Sequence, residues 1–160
     1  MTLNNKTKDK FRRVIRGIMI VLAVALLVLG LAVPIANNAV AMGVARELEA
    51  IELPADTSII EKISLAGRLT NEIGSVQYFG ALLIKSEHSI EELRAHYAQY
   101  NTDRILSYRV EPQRGQKITV LGDIDLAFRE DVGKEGYYIV YNIRTGGNAV
   151  QWWLDMDVRG

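Results

Sequence analysis

No charged residue occurs between Gly17 and Ala45, and the first part of that stretch, Gly17 to Ile35, reads GIMIVLAVALLVLGLAVPI. At about 1.5 Å per residue, a helix of this length matches the ~30 Å hydrocarbon core of a bilayer. Its apolar side chains occupy every face, and a helix that is hydrophobic all round belongs in lipid or inside a large protein. A chain of 160 residues is too short to enclose it in that way. The expectation is one transmembrane helix over residues 17–36. Pro34 near its outer end would free the Gly30 carbonyl and permit a kink. No GxxxG pattern accompanies the segment, so it carries no specific signal for helix dimerisation.

The formal net charge of zero conceals an asymmetry around this segment. Lys6, Lys8, Lys10, Arg12, Arg13 and Arg16 face only Asp9, so residues 1–16 carry +5 and the remaining residues −5. Cations concentrated before the span, with only Arg46 soon after it, predict a cytoplasmic N-terminus and an extracytoplasmic body. The same six side chains suit anionic lipid headgroups. An acidic body argues against nucleic acid as its partner. The alternative is a secreted protein released by signal cleavage near Ala41, since Ala39-Val40-Ala41 fits a small-x-small site. The apolar run exceeds the ~7–15 residues usual for a signal peptide, which favours a retained anchor in the cell membrane.

Past Asn37-Asn38 the pattern becomes amphipathic. Val40, Val44, Leu48 and Ile51 recur at helical spacing, with Arg46, Glu47, Glu49 and Glu52 on the other side. This predicts a juxtamembrane helix within residues 37–54, ended at Leu53-Pro54 because the residue before proline disfavours the helical region. Its acidic polar face points to packing on protein rather than on lipid.

Residues 55–160 read as one α+β domain. Ser58–Leu69 has strand periodicity, and Val76–Ile84 is apolar on both faces, as a central strand would be. Ser89-Ile90-Glu91-Glu92 is a capping box opening a helix whose apolar face is Ile90, Leu93, Tyr97 and Tyr100. Shorter strands are expected over 105–110, 117–121, 124–129 and 137–144, with Thr145-Gly146-Gly147-Asn148 as a hairpin loop before a last strand over 149–158. The order ββα, then four or five strands with short connections, implies a mainly antiparallel sheet with one covering helix.

Chemistry is harder to find. There is no cysteine, which removes disulfides, thiolate metal sites and thiol nucleophiles. Asp123-x-Asp125 and Asp155-x-Asp157 match the solvated face of a strand better than a metal or acid–base pair. His88 and His96 are eight residues apart without further ligands at suitable spacing, and a metal site wants three or four. No serine sits in a nucleophile elbow. No catalytic residue, metal site or cofactor is therefore expected. Trp152-Trp153 is the remaining feature: strand neighbours point to opposite faces, so with Trp152 in the apolar row Trp153 stands among Gln151 and Asp155. An exposed tryptophan there would anchor a protein or envelope partner, which makes Trp153 the candidate binding residue.

Five stretches resemble a loose group of uncharacterised single-pass membrane-anchored proteins of Gram-positive bacteria. They are Leu53-Pro54-Ala55-Asp56-Thr57, Ala66-Gly67-Arg68-Leu69, Gln77-Tyr78-Phe79-Gly80-Ala81, Ser89-Ile90-Glu91-Glu92-Leu93 and Asp157-Val158-Arg159-Gly160. The resemblance implies an anchor followed by a folded domain, and no activity. Two functions from different classes remain: a tethered domain binding a protein or cell-envelope component, or a tethered envelope hydrolase or transferase. A concave pocket with converging ionisable groups would favour the second.

Overall fold

The computed structural model describes residues 5–69, 76–102, 107–122, 124–133 and 135–146. Within them lie α1 (Asn5–Glu49), β1 (Thr57–Gly67), β2 (Gln77–Ser86), α2 (Ile90–Ala98), β3 (Arg109–Pro112) and β4 (Tyr137–Thr145). The expected α+β class is what the chain adopts. The sheet order is β1-β2-β4-β3, and every pairing is antiparallel.

The apolar run and the amphipathic stretch after it form one continuous helix of 45 residues, which passes through Pro34. At ~1.5 Å per residue it is about 68 Å long. Only 6% of its most apolar window is buried, so that part is not a core helix of the domain. By length and composition it can cross a membrane. The helix ends at Glu49, short of Leu53. There Ala50 N–H still bonds the Arg46 carbonyl, whereas Ile51 N–H tightens to the Leu48 carbonyl, and Pro54 prevents resumption. Asp56 then takes a left-handed conformation, φ 52°, which aspartate tolerates better than most side chains, and turns the chain into β1.

The last four turns of α1 lie on the sheet. Val33, Asn37, Ala41, Val44, Ala45 and Leu48 are buried, at the spacings of one helical face. This corrects the sequence reading, which put Val40 on that face: Val40 is 43% exposed. Ala41 and Ala45 replace it because small side chains let the helix come close. Gly80 of β2 makes the approach possible, since a Cβ there would fall 2.5 Å from the Ala45 nitrogen.

Alternation along β2 sends Tyr78, Leu82 and Ile84 toward the helices, and Phe79, Ala81 and Leu83 to the opposite face. On the helical side, Leu48 of α1 and Leu93 and Tyr97 of α2 pack with Leu82, Ile84, Val110 and Val140. Burying β2 on both faces, as its continuous apolar run foretold, requires a second cover. The segment 116–132 supplies it through Ile118, Leu121, Phe128 and Val132. Two short strands were expected there. The structure has a single bridge, Lys117 to Ala127, around a turn at Gly122, φ +67°. The Leu126 N–H bonds the Ile124 carbonyl, and Ile118, Leu121, Ile124, Leu126 and Phe128 all pack toward the sheet.

The remaining boundaries moved slightly. The strand expected over 105–110 is seen as β3, Arg109–Pro112, and the capping box at Ser89 forms as anticipated. The last strand, 149–158, and the second half of its hairpin loop lie outside the described residues.

Candidate functional site

Among the described residues, the buried polar residues Asn37, Gln77 and Asn142 lie on α1, β2 and β4, which pack together. Asn37, in the turn after the apolar run, is fully buried, and Tyr78 Oη donates to its Oδ1 at 2.9 Å. Next to Tyr78 on β2, Gln77 turns its side chain back to accept from Leu69 N–H at 3.0 Å, which ties the ends of β1 and β2 together. Asn142 pairs with Gly80 in register and is 1% exposed, yet neither its Nδ2 nor its Oδ1 has a hydrogen-bond partner among the described residues. Two residues on, Arg144 makes a two-point ion pair with Glu47 of α1, one arm at 3.0 Å, while its Nε is buried and unpartnered. The hydrogen bond to Glu47 outweighs burial and raises the guanidinium pKa of Arg144. A second ion pair joins Glu49 of α1 to Lys62 of β1. Helix and sheet are thus joined by a hydrogen bond and two ion pairs in addition to apolar contact.

The two histidines, weighed in the sequence as metal ligands, have structural work. His88 Nε2 lies 2.8 Å from the Ala55 carbonyl and His96 Nε2 2.7 Å from the Glu52 carbonyl. A carbonyl only accepts, so each ring carries a proton on Nε2. Together they clamp the α1–β1 connection onto α2. His96 also stacks edge-on against Tyr97. Glu92 closes the capping box by accepting from Ser89 N–H at 2.8 Å, and its pKa is lowered chiefly by the Ser89 side chain, with His88 adding to the effect.

Two tyrosines are displaced furthest upward. Burial raises Tyr97 to about 12, and its hydroxyl has no hydrogen-bond partner among the described residues. Burial also raises Tyr141 to about 12, helped by donation of its Oη to Glu111 Oε1 at 2.8 Å. A phenol held neutral by burial is a poor general base near neutral pH.

A shallow depression of about 270 Å³ lies between the start of α2, the end of β3 and the start of β4. Arg114 and Glu135 stand at it, beside Ile90, Pro112 and Tyr138. Gln113, which also lines it, is committed: its Nε2 donates to the Gly115 and Lys117 carbonyls at 2.8 Å each. The depression is at the small end for a ligand site and brings no cluster of pKa-shifted groups together.

Asp125 is exposed, and Asp123, Asp155, Asp157, Trp152 and the candidate binding residue Trp153 lie outside the described residues. Among the described residues no three His, Asp or Glu side chains assemble into a metal-binding group. The structural polar residues that sequence reasoning missed are Asn37, Asn142 and Arg144. Only Asn37 carried a signal, as an amide beside a long apolar run. No family model, curated protein or solved structure matches this chain.

Proposed function

We propose that this chain is a single-pass membrane protein whose α+β domain is held outside the cytoplasm by α1 and binds a protein or cell-envelope component. The observation that carries the reading is that α1 serves twice. Its first part is long and apolar enough to cross a bilayer, and its last four turns form one wall of the domain. A domain built on its own anchor is positioned as well as tethered, which is what presenting a binding surface at a fixed height requires. Residues 1–16, with their six cations, lie on the cytoplasmic leaflet.

Retention of the anchor is favoured over release near Ala41 by the packing. A cut there would fall inside α1 and remove Asn37 and Ala41, both buried against the sheet, from the domain. Binding is favoured over hydrolysis or group transfer because three of the five described groups with displaced pKa values are engaged in holding the fold: Glu92 caps α2, Arg144 pairs with Glu47, and Tyr141 bonds Glu111.

Protease added to protoplasts tests the topology: residues 55–160 should be digested and the basic tail spared. Protection of the domain would overturn the orientation. The full chain should resist carbonate extraction and keep its N-terminus, and a released product beginning at Met42 would overturn the anchor. In-cell crosslinking should join the domain to a defined envelope component. Envelope-cleaving or transferring activity in the purified full chain would instead establish the enzymatic alternative.

A further inference from the structure

The two sides of α1 leave the apolar regime at different heights. On the sheet side, burial begins at Val33, and Asn37 is bonded to Tyr78. On the opposite side Ile35 is 67% and Met42 45% exposed, and no charge appears before Arg46. From Gly17 to Gly43 this uncharged outer side measures about 40 Å at ~1.5 Å per residue, against a hydrocarbon thickness of ~30 Å. A helix with an apolar stretch longer than the bilayer accommodates it by tilting, in a direction set by its packing and its interfacial anchors.

Both are present here. Among the described residues the domain packs on one side of α1, so a tilt that raises that side lowers Ile35, Ala39 and Met42 into the leaflet. Arg46 lies one turn beyond Met42 on the same side. Its neighbours Glu47 and Glu49 are taken by Arg144 and Lys62, whereas the exposed Arg46 side chain has no partner among the described residues. An unpaired cation at the edge of an apolar helical face is placed to meet lipid phosphate.

From this, and resting on the membrane reading above, we infer that α1 is tilted in the bilayer. Its outer face from Ile35 to Met42 lies in the outer leaflet, Arg46 contacts phospholipid phosphate, and the domain rides on the upper side of the helix. The occupant of the exposed face is therefore lipid. A second copy of the chain is disfavoured because a symmetric contact across this face would bring two unpaired Arg46 side chains together, and because Ile35 and Met42 interrupt the small residues Ala39 and Gly43.

The chain has no cysteine, so single substitutions can report depth directly. Full-length Leu26→Cys, Ala39→Cys, Met42→Cys and Glu87→Cys are reconstituted into vesicles of phosphatidylcholine and phosphatidylglycerol and treated on both sides with a charged maleimide. All four side chains are exposed on the protein surface, so the substitutions do not disturb the core. The thiol of Met42→Cys should react about tenfold or more slowly than that of Glu87→Cys, as expected for a group below the headgroups. Labelling of Met42→Cys as fast as Glu87→Cys, with Leu26→Cys protected, would overturn the tilt and leave the anchor standing. Rapid labelling of Leu26→Cys would overturn the membrane reading itself. Oxidation of Ala39→Cys or Met42→Cys to a disulfide-linked dimer, undiminished on lipid dilution, would overturn lipid as the occupant and assign the face to a second copy.

Discussion

Gly80 lies directly beneath the backbone of Ala45: a Cβ added to it would stand 2.5 Å from the Ala45 nitrogen and 2.8 Å from the Val44 carbonyl carbon. Both obstacles are helix backbone, so no rotamer change relieves them. Gly80→Ala should lift α1 from β2 and cost about 1–3 kcal/mol, the usual range for forced overpacking. Gly43→Ala is the control, since a Cβ there meets nothing within 4 Å. It should stabilise α1 by up to ~1 kcal/mol, the difference in helix propensity. Denaturant melts of the full chain in detergent would compare the two. Equal effects would mean that the close approach is not what holds the helix in place.

Tyr78 and Asn37 are 41 residues apart and share a buried hydrogen bond of 2.9 Å. Tyr78→Phe removes the donor while keeping the ring, and should cost about 1–3 kcal/mol. Hydrogen exchange should place the loss at the helix–sheet contact, with faster exchange in the turns of α1 around Asn37 and little change in α2. Uniform loosening of the whole domain would show that the bond is not specific to that contact.

The tyrosines set the alkaline limit of stability. Tyr97 and Tyr141 both titrate at about 12 in the folded chain, against 10.0 for an unperturbed phenol. The folded state therefore holds these protons more tightly than the unfolded one. Their contribution is fully present below pH 10 and is lost as pH rises through 10 towards 12. Tyrosinate absorbance should appear together with unfolding in that window. Tyr97→Phe removes a buried hydroxyl that has no partner among the described residues, so it should be neutral or stabilising by about 1 kcal/mol, and should soften the alkaline fall. Tyr141→Phe should soften it as well, but at the cost of the bond to Glu111.

Trp152 and Trp153 yield a prediction from strand alternation alone. On the alternation expected from the sequence, which assigns Trp152 to the apolar row, Trp152→Ala should cost about 3–5 kcal/mol. Trp153→Ala should cost little in folding and about 2 kcal/mol or more in partner binding. Equal and severe folding losses would place both rings in the core and remove Trp153 as a binding residue.

The sequence disclosed those parts of the fold that depend on local pattern. The capping box at Ser89 and Glu92 uses groups close together in the chain, and the doubly apolar run of β2 needs no knowledge of its neighbours to be read as central. What it concealed depends on which surfaces meet. Val40 satisfies a helical period as well as Ala41 does, and only the close approach at Gly80 decides between them. The amphipathic pattern at 37–54 could not reveal that the helix enters the domain without a break. The apolar residues of 116–132 imply burial, but alternation mistook a bent cover for two strands. At the candidate site, Asn142 looks like any polar residue on a strand, because its burial is imposed by α1, near the other end of the chain.

The ion pair between Glu47 and Arg144 closes the same contact from its far end, and its strength can be measured separately. Arg144 lends two nitrogens to one carboxylate, which fixes geometry as well as charge. Half of the Glu47 side chain is exposed, however, so water screens the attraction. A double-mutant cycle on Glu47→Gln and Arg144→Gln should therefore give a coupling near the upper end for exposed pairs, about 1 kcal/mol. Single removal of Glu47 should cost more than single removal of Arg144. It leaves a partly buried guanidinium, with its Nε already unpartnered, facing no anion. Added salt should weaken the coupling only in part. A coupling indistinguishable from zero would mean that packing alone seats α1 on β4, and would leave the position of the helix to Gly80 and the Asn37–Tyr78 bond.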